Sequence, residues 1–145
     1  MPNKKEFGFT LVEILVTISI FALIAAFSVF ASFDYYRSYA LRSERYNLVS
    51  LLQKARGQAQ ANINQQKHGI HFDSGGFTLF EGNAYVAGAP SNAFFSSNGI
   101  VTHSGPSDII FDQLTAGTSG GNITLHDGTH PDVIISINNE AKISY

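Results

Sequence analysis

The sequence contains no cysteine among its 145 residues, and only 14% of those residues are charged. Without cysteine, the chain cannot hold a disulfide framework, a thiol nucleophile or a cysteine-ligated zinc ion. Its length allows one globular domain at most. Proline is absent between Phe9 and Pro90, and glycine is absent between Phe9 and Gly57. The residues that most often break helices are therefore missing from residues 9–56.

Basic residues are scarce in the second half of the chain. Beyond Lys67, the only Lys or Arg is Lys142, whereas seven acids lie there: Asp73, Glu81, Asp108, Asp112, Asp127, Asp132 and Glu140. The C-terminal part is therefore acidic and the part before it is basic. Because phosphate recognition needs clustered Lys and Arg, this charge distribution argues against binding of nucleic acid by the C-terminal part.

An uncharged apolar run fills residues 14–33. A helix of that length spans roughly 30 Å, which is the thickness of the hydrocarbon core of a bilayer. Lys4 and Lys5 precede the run, and the positive-inside bias places that end in the cytoplasm and the rest of the chain outside it. Glu13, at the edge of the run, is its unusual feature, because an acid in apolar surroundings is unfavourable unless it is paired.

The pattern of apolar residues predicts one helix over about residues 9–62. Residues 9–33 are apolar on all sides, so they meet lipid or other helices. From Asp34 onward the apolar residues recur at spacings of three, four and seven, namely Leu41, Leu48, Leu52, Ala55 and Ala59. We therefore predict three segments: a leader (1–8), a transmembrane helix (9–33) and a soluble head (34–145), in which an amphipathic helix (34–62) precedes a β-sheet (68–145).

After the helix, the apolar period changes to two, which is typical of strands. The segments are "GIHFD", "FTLFEG", "GIVTHS", "DIIFDQL", "NITLHDG" and "DVIISINNEAKISY", separated by glycine-rich and serine-rich turns. "GIHFDSGGFTLFEG" predicts one hairpin, and "VIISINNEAKISY" predicts a second that closes at Asn138 and Asn139. The predicted fold class is α+β, with the long N-terminal helix packed against a small antiparallel sheet.

The N-terminal segment resembles the signal of type IV prepilins and pseudopilins. The residues that carry the resemblance are the basic leader ending in Gly8, then "FTLVE" with Phe9 and Glu13, and then the apolar helix. The resemblance implies cleavage between Gly8 and Phe9 by prepilin peptidase and N-methylation of Phe9. It also implies that the Glu13 carboxylate pairs with the terminal amine of a neighbouring subunit during assembly.

The same resemblance implies a structural protein of a helical filament, without catalytic residues, cofactor or metal. Its expected partners are other pilin or pseudopilin subunits, the prepilin peptidase and the inner-membrane assembly machinery. Its expected location is the cytoplasmic (inner) membrane, in a single pass, and afterwards a cell-surface or periplasmic filament. This description covers a type IV pilus, or fimbrium, and a type II secretion pseudopilus.

The rest of the chain resembles the H-type minor pseudopilins of type II secretion and the fimbrial T-type minor pilins. "LLQKARGQAQANINQQ" leading into the first hairpin, and the final hairpin, carry that resemblance. Asn139, Glu140 and Ala141 stand where such proteins often have a turn containing glycine. A proline that kinks the membrane helix and a C-terminal cysteine pair are both absent from the sequence, which favours a minor pilin or pseudopilin over an abundant subunit.

Several alternatives remain open at this point. Ala26-Phe27-Ser28 could be the cleavage site of an ordinary secretory signal, which would release a soluble protein starting at Val29. The helix could also be a plain membrane anchor, with Glu13 snorkelling toward the headgroups. A minor pilin at a filament tip could bind DNA or another substrate through its head. In that case the Lys and Arg residues of the amphipathic helix would be the DNA-binding candidates.

Three further motifs suggest chemistry only weakly. His68 and His71 form an H-x-x-H pattern, but an offset of three on a strand points two side chains to opposite faces. His126 and His130 flank "DGT", and polar surface or turn positions explain them. A set of Ser104, His103 and Asp108 could be drawn as a catalytic triad, without a nucleophile elbow around the serine. "GTSGGN" lacks the lysine and the following helix of a phosphate-binding loop.

Overall fold

The computed structural model describes residues 8–145, without the side chains of residues 30 and 31. The predicted leader lies outside the described residues except for Gly8. The chain divides into two compact units, Met1–Tyr36 and Arg37–Tyr145. The first unit contains the beginning of helix α1, and the second contains the rest of α1 and all of the strands.

Helix α1 runs without interruption over Leu11–Gln60. The predicted single long helix is thus confirmed, and its bounds lie two residues inside the predicted ones. The helix ends just before Asn62, whose φ of 53° is in the left-handed region that asparagine tolerates. A 3-10 turn, Ile63–Gln65, then leads into the first strand. Leu114 donates its backbone N–H to the carbonyl of Ala59 at 2.9 Å, which fixes the end of the helix to a later loop.

The predicted apolar stripe of α1 faces the core of the second unit. Its five members are almost completely buried, with exposed fractions of 5% for Leu41 and 0% for the other four: Leu48, Leu52, Ala55 and Ala59. They pack in one cluster with apolar side chains from the strands, including Ile70, Phe111, Ile123 and Ile135. The amphipathic pattern therefore identified the face of α1 that covers the strands.

Eight strands follow α1: β1 (His68–Asp73), β2 (Gly76–Glu81), β3 (Ala93–Ser96), β4 (Thr102–Ser104), β5 (Asp108–Phe111), β6 (Gly121–His126), β7 (Val133–Ile137) and β8 (Ile143–Ser144). They form two four-stranded antiparallel sheets, in the orders β3-β2-β1-β5 and β4-β6-β7-β8. The α+β prediction is confirmed, but two sheets replace the single predicted sheet. Strand β3 was also not predicted, because it follows a segment read as a loop.

Both predicted hairpins are present. In the first, β1 pairs with β2 from His68 opposite Glu81 to Asp73 opposite Gly76. In the second, β7 pairs with β8, with Ile137 opposite Ile143. The carbonyl of Asn138 accepts the N–H of Ala141 at the closing turn of this second hairpin.

Gly76 explains how β3 approaches the first hairpin closely. A Cβ atom at this position would lie 2.2 Å from the carbonyl oxygen of Phe95, and the φ of Gly76 is 155°. Any other residue would push β3 away from β2. Glycine at position 76 therefore permits the pairing that places Phe95 beside the hairpin.

Candidate functional site

The predicted cleavage position lies just before α1. Gly8 and Phe9 precede the helix, and the side chain of Phe9 is 79% exposed. A Cβ added at Gly8 would have no heavy atom within 4 Å. The described residues therefore place no steric limit on residue 8, so a requirement for a small residue there is expected to come from another molecule.

Thr10 and Glu13 form a capping box at the start of α1. The Thr10 hydroxyl accepts the N–H of Glu13 at 3.2 Å, and the Glu13 carboxylate accepts the N–H of Thr10 at 3.4 Å. This reciprocal pair satisfies two N–H groups that the first turn of a helix otherwise leaves unpaired. Glu13 therefore has a role within its own chain that the sequence analysis missed, although the T-x-x-E spacing was the available signal.

The membrane-crossing prediction rests on the first part of α1. Its apolar side chains are largely exposed, for example Leu11 at 80%, Phe21 at 67% and Phe27 at 75%. By length and composition, α1 is able to cross a membrane. A surface this apolar is stable only when lipid or other helices cover it.

Hydroxyl groups in this part of α1 are satisfied within the helix. The side chains of Thr17, Ser19, Ser28 and Ser32 each donate to the carbonyl four residues earlier, at 2.6 to 2.8 Å. Such back-bonding leaves little polar surface toward the surroundings. Glu13 is the one side chain of residues 9–29 that carries a formal charge.

Comparison with known families bears directly on this segment. Residues 3–29 match the model of the prokaryotic N-terminal methylation motif. Its N-terminal segment therefore carries the motif that is found in type IV pilin-like proteins. No curated protein and no solved structure matches the chain.

Proteins with this motif are structural subunits that prepilin peptidase processes and that assemble with other pilin subunits. The motif and the apolar first part of α1 together support a membrane anchor at this end of the chain. The matched motif ends at residue 29 and does not reach the Arg37–Tyr145 unit. The chemistry of that unit must be judged from its own side chains.

The H-x-x-H histidines of strand β1 have different surroundings. His68 is completely buried, and its Nε2 lies 3.6 Å from Oε1 of Glu81. His71 is partly exposed, lies 2.7 Å from Oδ1 of Asp108 through its Nδ1, and stacks on Tyr85 with ring centroids 3.8 Å apart. Among the described residues, no group of three or more His, Asp and Glu side chains is placed to hold a metal ion.

The structure does not bring Ser104, His103 and Asp108 together. His103 lies against the rings of Phe72 and Phe77, while Asp108 pairs with His71. Burial lowers the pKa of His103, although the nearby carboxylates of Glu44 and Asp73 oppose that effect.

Ser104 instead belongs to a hydrogen-bonded chain with His126 and Asp132. The Ser104 hydroxyl lies 3.2 Å from Nε2 of His126, and Nδ1 of His126 lies 2.6 Å from the Asp132 carboxylate. The order matches a serine hydrolase triad. However, the Asp132 side chain is 51% exposed, whereas a triad aspartate is buried. We interpret these two hydrogen bonds as a structural link between β4, β6 and the loop before β7.

The "DGTH" segment is a turn organised by Asp127. Its carboxylate accepts the N–H groups of Thr129 and His130 at 2.9 and 2.7 Å, and its second oxygen lies 2.6 Å from Nδ1 of His130. Burial alone would raise the pKa of Asp127, but these donors outweigh burial and lower the pKa to about 2. Arg37 also donates to the Asp127 carbonyl and the Thr129 hydroxyl, so the turn is fixed to α1.

Glu44 is an acid on the buried face of α1 that sequence reasoning missed. Only 3% of its surface is exposed. The available signal was its spacing, because Glu44 lies three residues after Leu41 and four before Leu48, in the stripe that faces the core. An acid at such a position needs a partner, since burial of an unpaired charge is costly.

Proposed function

We propose that this chain is a minor pilin or pseudopilin, a structural subunit of a type IV pilus or of a type II secretion pseudopilus. The observation that carries the proposal is the methylation motif at residues 3–29, which includes the exposed apolar first part of α1, where Glu13 is the single acid. The lack of a kinking proline in that helix and of a C-terminal cysteine pair supports a minor over an abundant subunit.

Prepilin peptidase would cut the proposed subunit between Gly8 and Phe9, and Phe9 would then be N-methylated. Both residues precede the first turn of α1, and Phe9 is well exposed. No described residue crowds Gly8, so a bulky residue there would affect the peptidase rather than the folded part of the chain.

Assembly would proceed through the helix, with Glu13 paired to the new amine of a neighbouring subunit. The capping box occupies one oxygen of the Glu13 carboxylate only weakly, at 3.4 Å. A carboxylate has two oxygens with about four acceptor positions, so a second donor can be accommodated. In apolar surroundings an amine would also offset the unfavourable charge of the acid.

The remainder of the proposed subunit, residues 34–145, would form the head outside the cytoplasm, after a membrane segment of residues 9–33.

A subunit at the filament tip that binds DNA is the alternative. Beyond Lys67 the head has one Lys or Arg against seven acids, which weighs against that alternative.

Mass spectrometry of the mature N-terminus tests the proposal. The full chain would be produced in cells with and without a prepilin peptidase, and the membrane fraction would be analysed. We expect an N-terminus at Phe9 only when the peptidase is present. Gly8→Ala should still be cut, whereas Gly8→Val should not, because a branched side chain is larger than the small residue expected there. A start at Val29, or equal cleavage of both variants, would contradict the proposal.

A further inference from the structure

A cavity lies between α1 and strands β2 and β3, with Glu44 in its wall. Its volume is about 310 Å³. It is lined by Glu44, Asn47, Ser50, Leu51, Phe77, Phe95 and Ser96. The wall thus combines one buried carboxylate, two aromatic rings, an aliphatic side chain and a polar rim.

Glu44 makes two hydrogen bonds within the chain. The Ser97 hydroxyl donates to Oε1 at 2.5 Å, and the backbone N–H of Asn98 approaches Oε2 at 3.4 Å. The second contact is long for a hydrogen bond, so Oε2 is only weakly satisfied. No Lys, Arg or His nitrogen of the residues that the structure describes lies within ion-pair distance of Glu44.

The cations around Glu44 have other contacts. The guanidinium of Arg45, the next residue, lies over the rings of Tyr46 and Tyr145, at 4.7 and 5.7 Å from their centroids. Lys54 lies ten residues further along α1, about 15 Å along the helix axis, which is too far for a direct ion pair. Its ammonium group instead lies 5.9 Å from the centroid of the Phe95 ring. His103 feels the field of Glu44, but burial disfavours the charged imidazolium. Within the part of the chain that the structure describes, the buried carboxylate therefore has no ion-pair partner.

We propose that this cavity binds an alkylammonium group, with Glu44 as its counter-ion and Phe77, Phe95 and Leu51 around its carbon chain. Aromatic faces attract organic cations, and the Lys54 contact illustrates this at Phe95. A carboxylate in a poorly hydrated site attracts an ammonium group more strongly than an exposed carboxylate does. The ligand could be a free amine or the lysine side chain of another protein, because both present the same group.

Titration of the full chain in detergent micelles with butylammonium chloride tests the site. The readout is the NMR shift of the backbone amides of Ser97 and Asn98, because the Ser97 hydroxyl and the Asn98 N–H both donate to the Glu44 carboxylate. We expect saturable binding with a Kd of about 1 mM, which is well within the affinity that a ligand of so few atoms can reach. Potassium chloride and butanol, which lack either the carbon chain or the charge, should give no saturable shift.

Variants separate the charge of Glu44 from its structural role. Glu44→Gln keeps one oxygen that can accept from the Ser97 hydroxyl but removes the charge and the weakly held second acceptor, so affinity should fall by about tenfold or more. Phe95→Leu keeps an apolar wall and should weaken binding severalfold. Glu140→Gln makes the same change at an exposed turn and should have no effect.

A lysine-containing peptide and its counterpart with norleucine at that position identify the source of the ammonium group. Binding of butylammonium and of the lysine peptide, but not of the norleucine peptide, indicates a protein side chain. Binding of butylammonium alone indicates a small amine. Failure of wild-type protein to bind butylammonium would overturn the proposal, as would equal binding of butanol or an unchanged affinity of Glu44→Gln.

Discussion

Glu13 has two roles that mutation can separate. It belongs to the capping box with Thr10, and it is the acid that would pair with a neighbouring subunit. Glu13→Gln keeps an amide oxygen that can accept the N–H of Thr10, but it removes the charge. Thr10→Val removes the hydroxyl cap, keeps the β-branched shape and leaves the Glu13 charge in place.

Either change should lower the free energy of unfolding of the chain only slightly. Loss of a threonine cap costs about 0.5 to 2 kcal/mol, and loss of an acid in the first turn costs about 0.3 to 1 kcal/mol. Both estimates concern only the first turn of α1. The helix continues to Gln60, and the buried stripe that packs against the strands lies beyond Ala40, far from that turn. We therefore expect both variants to fold, to insert into the membrane and to be cut after Gly8.

Filament incorporation should distinguish the two variants. Sheared filaments from cells producing wild type, Glu13→Gln or Thr10→Val would be collected, and the amount of this subunit would be measured by immunoblot against the membrane pool. We expect Glu13→Gln to be lost from filaments and Thr10→Val to be retained. The opposite pattern would show that the capping box, and not pairing between subunits, explains the acid. Wild-type incorporation of both variants would favour a snorkelling acid without either role.

Three further predictions concern the rest of the chain. Leu48→Ala should lower the free energy of unfolding, measured by thermal melts, by about 2 to 5 kcal/mol, because Leu48 is fully buried. In the same melts, the control Leu114→Ala, at an exposed position, should change it by less than about 0.5 kcal/mol. The pKa of Asp127 is about 2, below its usual 3.8, so its contribution to stability should be present above pH 3.8 and be lost as the pH falls through about 2. Asp127→Asn should flatten this part of the pH–stability curve, and an unchanged curve would contradict the assigned hydrogen bonds. Duplex DNA should bind the full chain in micelles no more tightly than about 10⁻⁴ M at physiological salt, and a micromolar, salt-sensitive affinity would support the DNA-binding alternative.

Periodic features of the chain could be predicted from the sequence. The long helix was predictable because Gly57 is its first glycine and it contains no proline. The buried stripe was predictable because Leu48 and Leu52 lie on one face of that helix. Both hairpins were predictable because their turns are local, so that neighbouring segments of the chain determine their register.

Features that depend on distant contacts were not predicted. Strand β3 pairs with β2 across a loop of eleven residues that contains Pro90, and no local signal specifies that pairing. The division into two sheets likewise depends on which strands meet in space. Ser104 meets His126 and Asp132 only because β4 pairs with β6. Two local features were visible in the sequence but were not predicted. They are the T-x-x-E spacing of Thr10 and Glu13, and the position of Glu44 within the apolar stripe of the helix.

The most direct test of the central claim is intact-mass analysis of this subunit in sheared filaments. If the chain is a pilin-like filament subunit, the filament fraction should contain it with an N-terminus at Phe9, carrying the added mass of one methyl group. The same fraction from cells without prepilin peptidase should lack it. Recovery of the protein only as a soluble chain starting at Val29, or in membranes with the leader still attached despite an active peptidase, would contradict the claim.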